Sequence, residues 1–221
     1  MSRSRWNVLA VCFPVVLLTA PVAAWEPDVA RAPSSRPRLP LTLVDFAGLP
    51  GEVVSSVGDE IALLATTLGV EAELRAVPPG AVVDAGALTV ILMNGPAPAT
   101  LTPGVMGAVQ RQGTTPALWI YPASVAAGAR LRWEERPRWS DRQRSAFATA
   151  LARVAVHEIV HVVCPGRVHD ADGLMAGRLD AKALTQARPR VPLGLRRDFT
   201  AGLDAWGGAA LRVAQRAGLP R

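Results

Sequence analysis

Several side-chain types are nearly missing from this 221-residue chain, and each shortage narrows the reading. There are two cysteines, and Cys12 falls in an N-terminal stretch expected to be removed. Cys164 is then alone, so no intrachain disulfide is available and stability must come from a core, helped or not by a metal. Lys182 is the only lysine, so the positive charge is almost all arginine; the net charge is +6, or +4 without Arg3 and Arg5 (6 − 2). No dense basic run carries interleaved aromatics, which gives nucleic-acid binding little support. A mild attraction to acidic surfaces is as far as the charge reaches. Beyond the N-terminus no apolar run is read as long enough to span a membrane, and the mature chain is expected to be soluble. There are no internal repeats. Histidine is also rare: the chain has three, and all lie between residues 157 and 169.

The N-terminus has the form of an export signal. Arg3 and Arg5 precede an apolar run from Val8 to Leu18, and Val22-Ala23-Ala24 makes a small-residue exit. Residues 1–24 are therefore expected to be a cleaved signal peptide, taking the protein to the periplasm or the medium. An uncleaved anchor fits less well, because the run is short and Pro14 interrupts it. Residues 25–40 carry Pro27, Pro33, Pro37 and Pro40 and read as an extended linker or arm. The rest, 41–217, suits one domain. Half of all residues are apolar and 19% are charged, which favours a packed globule.

Within that domain the spacing predicts an α/β (α+β) arrangement. Strands are expected over 41–46, 70–77, 88–93 and 117–121, with a helix over 51–68 stopped by Gly69. That order gives a small mixed sheet with one crossover helix. Residues 94–113 read as a loop. Trp133 and Trp139 flank a polar stretch, where they either edge a groove or pack. Ser140 is a good N-cap with Gln143 at the capping-box position, opening a helix at Asp141. That helix begins amphipathic and is apolar on nearly all sides from Val154 onward, as a helix does on entering a core. Pro165 ends it. A short helix is expected over 180–187, and a C-terminal helix over 196–217 with Phe199, Leu203, Trp206, Ala210 and Val213 on one stripe.

Three polar side chains interrupt the apolar part of the central helix: His157, Glu158 and His161. Unpaired buried polar groups cost a few kcal/mol each, roughly. His157 and His161 are one turn apart, about 6 Å along the axis, a spacing that lets two imidazoles grip one ion. Gly166 lets the chain reverse and return His169 to them. Glu158, next to the first ligand, is placed to act on a water there as a general base. Three histidines leave a position open, as catalytic zinc sites do and structural ones do not. Without a metal, the stretch is a buried helix with two hydrogen-bonded core histidines, which leaves Glu158 unexplained.

The arrangement resembles the metzincin clan of zinc peptidases, with specific similarity over about 157–175 and similarity of layout elsewhere. The resemblance implies a zincin-like fold, Zn2+ held by His157, His161 and His169, Glu158 as general base, and a methionine turn at Gly173-Leu174-Met175. Here the third histidine follows the second by eight residues rather than the clan's usual six, a spacing similar to small exported bacterial predicted peptidases ending in a His…Gly-Leu-Met run. No tyrosine follows Met175 to add a ligand. Asp170, Asp172 or Asp180 could replace His169 as third ligand, or an aspartate could accept the far N–H of a ligand histidine. Cys164, at helical spacing from both histidines, could instead close the shell.

The expected activity is therefore that of an exported zinc metalloendopeptidase acting on a peptide or protein. The alternatives are a non-catalytic zinc-binding module closed by Cys164 or a partner, and a hydrolase of non-peptide amides.

Overall fold

The computed structural model describes residues 36–84, 86–110 and 116–216, with side chains as far as residue 206. The expected signal peptide and residues 25–35 of the expected arm lie outside the described residues, as do the side chains of Ala210 and Val213.

Five strands make one sheet: β1 (Arg38–Asp45), β2 (Glu71–Val77), β3 (Leu88–Leu92), β4 (Gly107–Gln110) and β5 (Ala117–Ile120). Their spatial order is β2-β1-β3-β5-β4. β1, β2, β3 and β5 run parallel, and β4 is antiparallel to β5 at the edge. The mixed sheet expected from the sequence is present, with one strand more. β4 lies inside the stretch read as a loop, where the prolines and glycines of 95–104 masked a four-residue strand.

β1 also starts earlier than expected, taking in Arg38, Leu39 and Pro40 from the end of the expected arm. Pro40 pairs with Glu73 of β2, while β3 joins β1 only from Leu41. A residue without an N–H is tolerated there because the second neighbour has not yet begun.

Helix α1 (Gly51–Thr67) crosses from β1 to the parallel β2, as parallel strands require. It buries Val53, Val57, Ile61 and Leu64 on one stripe, and Gly69 (φ +87) ends it. Helix α2 (Pro122–Gly128) follows β5 directly, with Pro122 at its first turn; the sequence reading missed it. A 3-10 segment, Trp133–Arg138, then leads into α3 (Asp141–Val163). Trp133, Trp139 and Phe147 pack edge-on and tilted against one another with ring centroids 5.0–6.2 Å apart, so the tryptophans pack rather than edge a groove.

Helix α3 is the centre of the molecule. The capping box is made: the Ser140 hydroxyl accepts from the Gln143 N–H, and Gln143 Oε1 accepts from the Ser140 N–H at 2.9 Å. Leu151, Ile159 and Val160 are fully enclosed. Each such side chain contributes about 1.5–3 kcal/mol through burial. By length and composition α3 could cross a bilayer, contrary to the expectation that no such run follows the N-terminus, but it is mostly buried inside the fold. Helix α4 (Ala181–Thr185) is capped by Asp180, and α5 (Leu193–Arg216) buries Leu195, Phe199 and Leu203 behind α3. The absence of a side chain on Gly202 lets α5 approach the last turn of α3, since a Cβ there would strike the Val163 carbonyl.

Candidate metal centre

The cap at Ser140 fixes where α3 begins, and His157 and His161 project from one face of its last two turns. The helix ends at Cys164, whose backbone (φ −116, ψ 69) has already left helical geometry ahead of Pro165. Gly166, at φ +90, takes a left-handed conformation that glycine adopts without strain. Arg167 then secures the returning loop: its guanidinium donates to Asp170 at 2.9 Å and to Asp198 of α5 at 3.1 Å. His169 is carried between these anchors to the α3 face.

The three Nε2 atoms converge. His157 lies 3.2 Å from both His161 and His169, and His161 lies 3.1 Å from His169. The His157 Nδ1–H donates to the Leu174 carbonyl at 2.9 Å, because a carbonyl can only accept. A neutral His157 ring therefore presents a bare lone pair at Nε2, and a neutral imidazole has one N–H to share. Three mutual contacts cannot all be hydrogen bonds.

A cation bound to all three lone pairs resolves the crowding. Nitrogen ligands at about 2.0–2.1 Å in a tetrahedron stand roughly 3.3–3.4 Å apart, close to the triangle present here. Burial also lowers the His157 pKa to about 4, outweighing the Leu174 carbonyl, which raises it. The ring is thus neutral and free to ligate near pH 7. The all-imidazole donor set suits Zn2+.

Beneath the triad runs the turn Gly173-Leu174-Met175. Gly173 is left-handed (φ +81), and a side chain there would meet the Arg190 carbonyl. The Asp170 N–H donates to the Met175 carbonyl at 2.7 Å, closing the loop from His169 back onto the turn. Met175 is wholly buried. The turn acts on the site through the Leu174 carbonyl, so a backbone group and not an aspartate orients His157.

Glu158 stands beside the triad, its carboxyl raised by burial to about 7. Gly107, the first residue of β4, presses on it: a Cβ at 107 would lie 2.7 Å from Glu158 Cγ and 2.9 Å from Oε1. His157, Glu158 and His169 line a cavity of about 770 Å³, walled by Gly107 of β4, Gly128 of α2 and Leu179 before α4.

The other candidate ligands go elsewhere. Asp170 is held by Arg167, Asp172 pairs with Arg190 at 3.4 Å, and Asp180 caps α4 through the Ala183 N–H at 2.8 Å. Cys164 is not in the converging group, and burial raises its thiol pKa, with Asp198 adding to the rise and Arg167 opposing it. Sequence reasoning missed Gly107 and the Arg167 clamp. Gly107 carries no local signal, and Arg167 is one of many arginines until the loop brings Asp198 beside it.

The fold is zincin-like, and its layout of a mixed sheet, a helix carrying two histidines, a third histidine on the return loop and a turn at Met175 resembles that of the metzincins. The archaemetzincin of Methanopyrus kandleri superimposes with a TM-score of 0.50 at 14% identity, over 76% of this chain and 96% of that one. A zinc-dependent peptidase from Methanocorpusculum labreanum superimposes with a TM-score of 0.52 at 14% identity, over 72% and 99%. At that identity the likeness is one of fold. No family model and no curated protein matches the sequence.

Proposed function

We propose that this chain is an exported zinc-dependent endopeptidase. The observation that carries the reading is the placement of Glu158 beside a three-histidine centre that opens into a cavity, with no fourth protein ligand among the described residues. The proteins of similar fold include one described as a zinc-dependent peptidase, in keeping with this chemistry. The N-terminal pattern of Arg3, Arg5, the apolar run and Val22-Ala23-Ala24 supports export.

His157, His161 and His169 would hold the ion. Zinc, when bound, supplies Lewis acidity that polarises a carbonyl and acidifies water. Glu158 takes a proton from the attacking water at a carboxylate oxygen and returns it to the leaving amine nitrogen. Burial raises this carboxyl in the metal-free site, and the charge of a bound ion would lower it again, favouring the ionised form that accepts the proton. β4 is the edge strand next to Glu158, and an extended peptide can add to a sheet edge by main-chain hydrogen bonds. Such a strand holds residues on both sides of the scissile bond, which favours cleavage within a chain; a non-peptide amide would leave the edge unused. A module closed by Cys164 lacks its closing ligand in this geometry.

Glu158→Gln tests the reading. We expect the variant to keep about one zinc per chain by elemental analysis and to lose about 10²–10⁴-fold in peptide hydrolysis. Undiminished turnover in that variant would falsify the role given to Glu158.

A further inference from the structure

Arg130 is the only non-glycine residue with positive φ among the described residues, at +61. It follows α2, where the Leu131 N–H reaches back to the Ala126 carbonyl at 2.8 Å and the Arg130 N–H to Ala127 at 3.0 Å. That is the left-handed helix-ending position where glycine is usual, because a Cβ is strained there. A glycine would serve the backbone better, so the side chain needs its own reason. Arg130 lines the cavity that contains His157, Glu158 and His169, and so does Arg178, two residues past Ala176.

The charge continues outward. A second hollow of about 360 Å³ shares Ala176, Arg178 and Asp180 with the first, and adds Lys182, Arg188 and Arg190. Three carboxylates face these five cations: Glu158 at the metal centre, Asp172 paired with Arg190, and Asp180 engaged with the start of α4. Among the described residues no ion pair holds Arg130, Arg178, Lys182 or Arg188. A concave surface with an excess of one sign of charge concentrates ligands of the other.

We propose that Arg130 and Arg178 form a carboxylate-binding site in the catalytic cavity and select substrates that place an acidic group there. The ligand is a peptide whose carboxylate is either an Asp or Glu side chain or the chain's own C-terminus. The apolar lining from Met106, Val154 and Leu179 accommodates the aliphatic stem, and the guanidinium groups take the charged end. The substrate role rests on the peptidase reading above; the carboxylate site itself does not.

The test uses zinc-loaded Glu158→Gln protein and fluorescent peptides in which one Glu, or one Gln, is walked along a neutral sequence. Each peptide is made with a free and with an amidated C-terminus, and binding is followed by anisotropy. We expect one position of Glu, or the free C-terminus, to bind about tenfold more tightly than its neutral counterpart. A preference that follows Glu assigns the side chain, and one that follows the terminus assigns the terminal carboxylate. Adding Arg130→Gly or Arg178→Gln should bring the ratio close to one. Arg130→Gly should also melt no lower than its parent, since glycine relieves the backbone; a lower melting temperature would make Arg130 structural and overturn the proposal. So would a ratio near one in the parent, or a preference surviving in both variants. Cleavage of the same peptides by the wild-type protein separates the two readings. Charge-selective binding without cleavage sinks the peptidase, and cleavage without charge preference sinks the carboxylate site.

Discussion

Between His157 and Glu158, neighbours in sequence, the fold moves two pKa values in opposite directions. Burial lowers His157 from 6.5 to about 4 and raises Glu158 from 4.5 to about 7. Between about pH 4 and 6.5 the unfolded chain takes up a proton at His157 that the folded chain refuses, so stability falls as pH falls. Between about pH 4.5 and 7 the folded chain keeps a proton at Glu158 that the unfolded chain releases, so stability falls as pH rises. In the metal-stripped protein these two dependences oppose each other across the shared window and leave little slope. Glu158→Gln removes one of them. Urea unfolding of that metal-free variant should lose about 1.4 kcal/mol per pH unit on acidification from 6.5 towards 4.5, relative to wild type. A wild-type slope unchanged by the substitution would count against the burial assigned to Glu158. His157, His161 and Glu158 were legible in the sequence because polar residues on an apolar helix need a cause, and His169 because it is the one other histidine and follows a glycine turn. The Leu174 carbonyl was not, because a main-chain acceptor has no letter of its own.

At the scale of elements, α1 and α3 were readable from local signals: a hydrophobic stripe stopped at Gly69, and a capping box at Ser140. β4 and α2 were not. β4 is four residues long and half-buried, and its strand character comes from pairing with β5, which follows it by several residues. Yet β4 is the element that meets Glu158, and Gly107 is the point of contact. Gly107→Ala should displace the Glu158 carboxyl, lowering turnover about tenfold or more while zinc content and melting temperature hold, by analogy with the sensitivity of catalysis to misplacement on the order of 1 Å. Turnover equal to wild type would show that β4 does not set the position of Glu158. The return loop was expected to bring His169 home through Gly166; the part left unread was the Arg167 clamp, since Asp198 comes from a helix far along the chain.

For the whole molecule, the absence of disulfides among the described residues gives the metal centre a second task. It joins the last turns of α3 to the loop ending at His169, and that loop is closed onto the methionine turn. Binding to the folded chain alone stabilises by RT ln(1 + [Zn]/Kd), about 4 kcal/mol at a thousandfold excess over Kd. Stripping the metal with a chelator should therefore lower the melting temperature by several degrees, and adding zinc back should restore it. A melting temperature indifferent to zinc would mean that the three imidazoles do not bind it in the folded state.

Helix α3 is a 23-residue segment apolar enough to sit in a bilayer, within a chain proposed to be threaded across one. During translocation such a segment risks being released sideways into lipid. Arg153 lies near its midpoint, where an arginine opposes insertion by about 2.5–3.5 kcal/mol. In the finished fold the same guanidinium is enclosed and donates to the carbonyls of Ala183 and Gln186 around α4. Under the export proposed above, Arg153 would have a use before the fold exists, keeping the helix unattractive to the membrane until it reaches the core. Under that export, Arg153→Leu should raise the share of the protein found in the membrane fraction of fractionated cells relative to wild type, and an equal share in both would overturn this role.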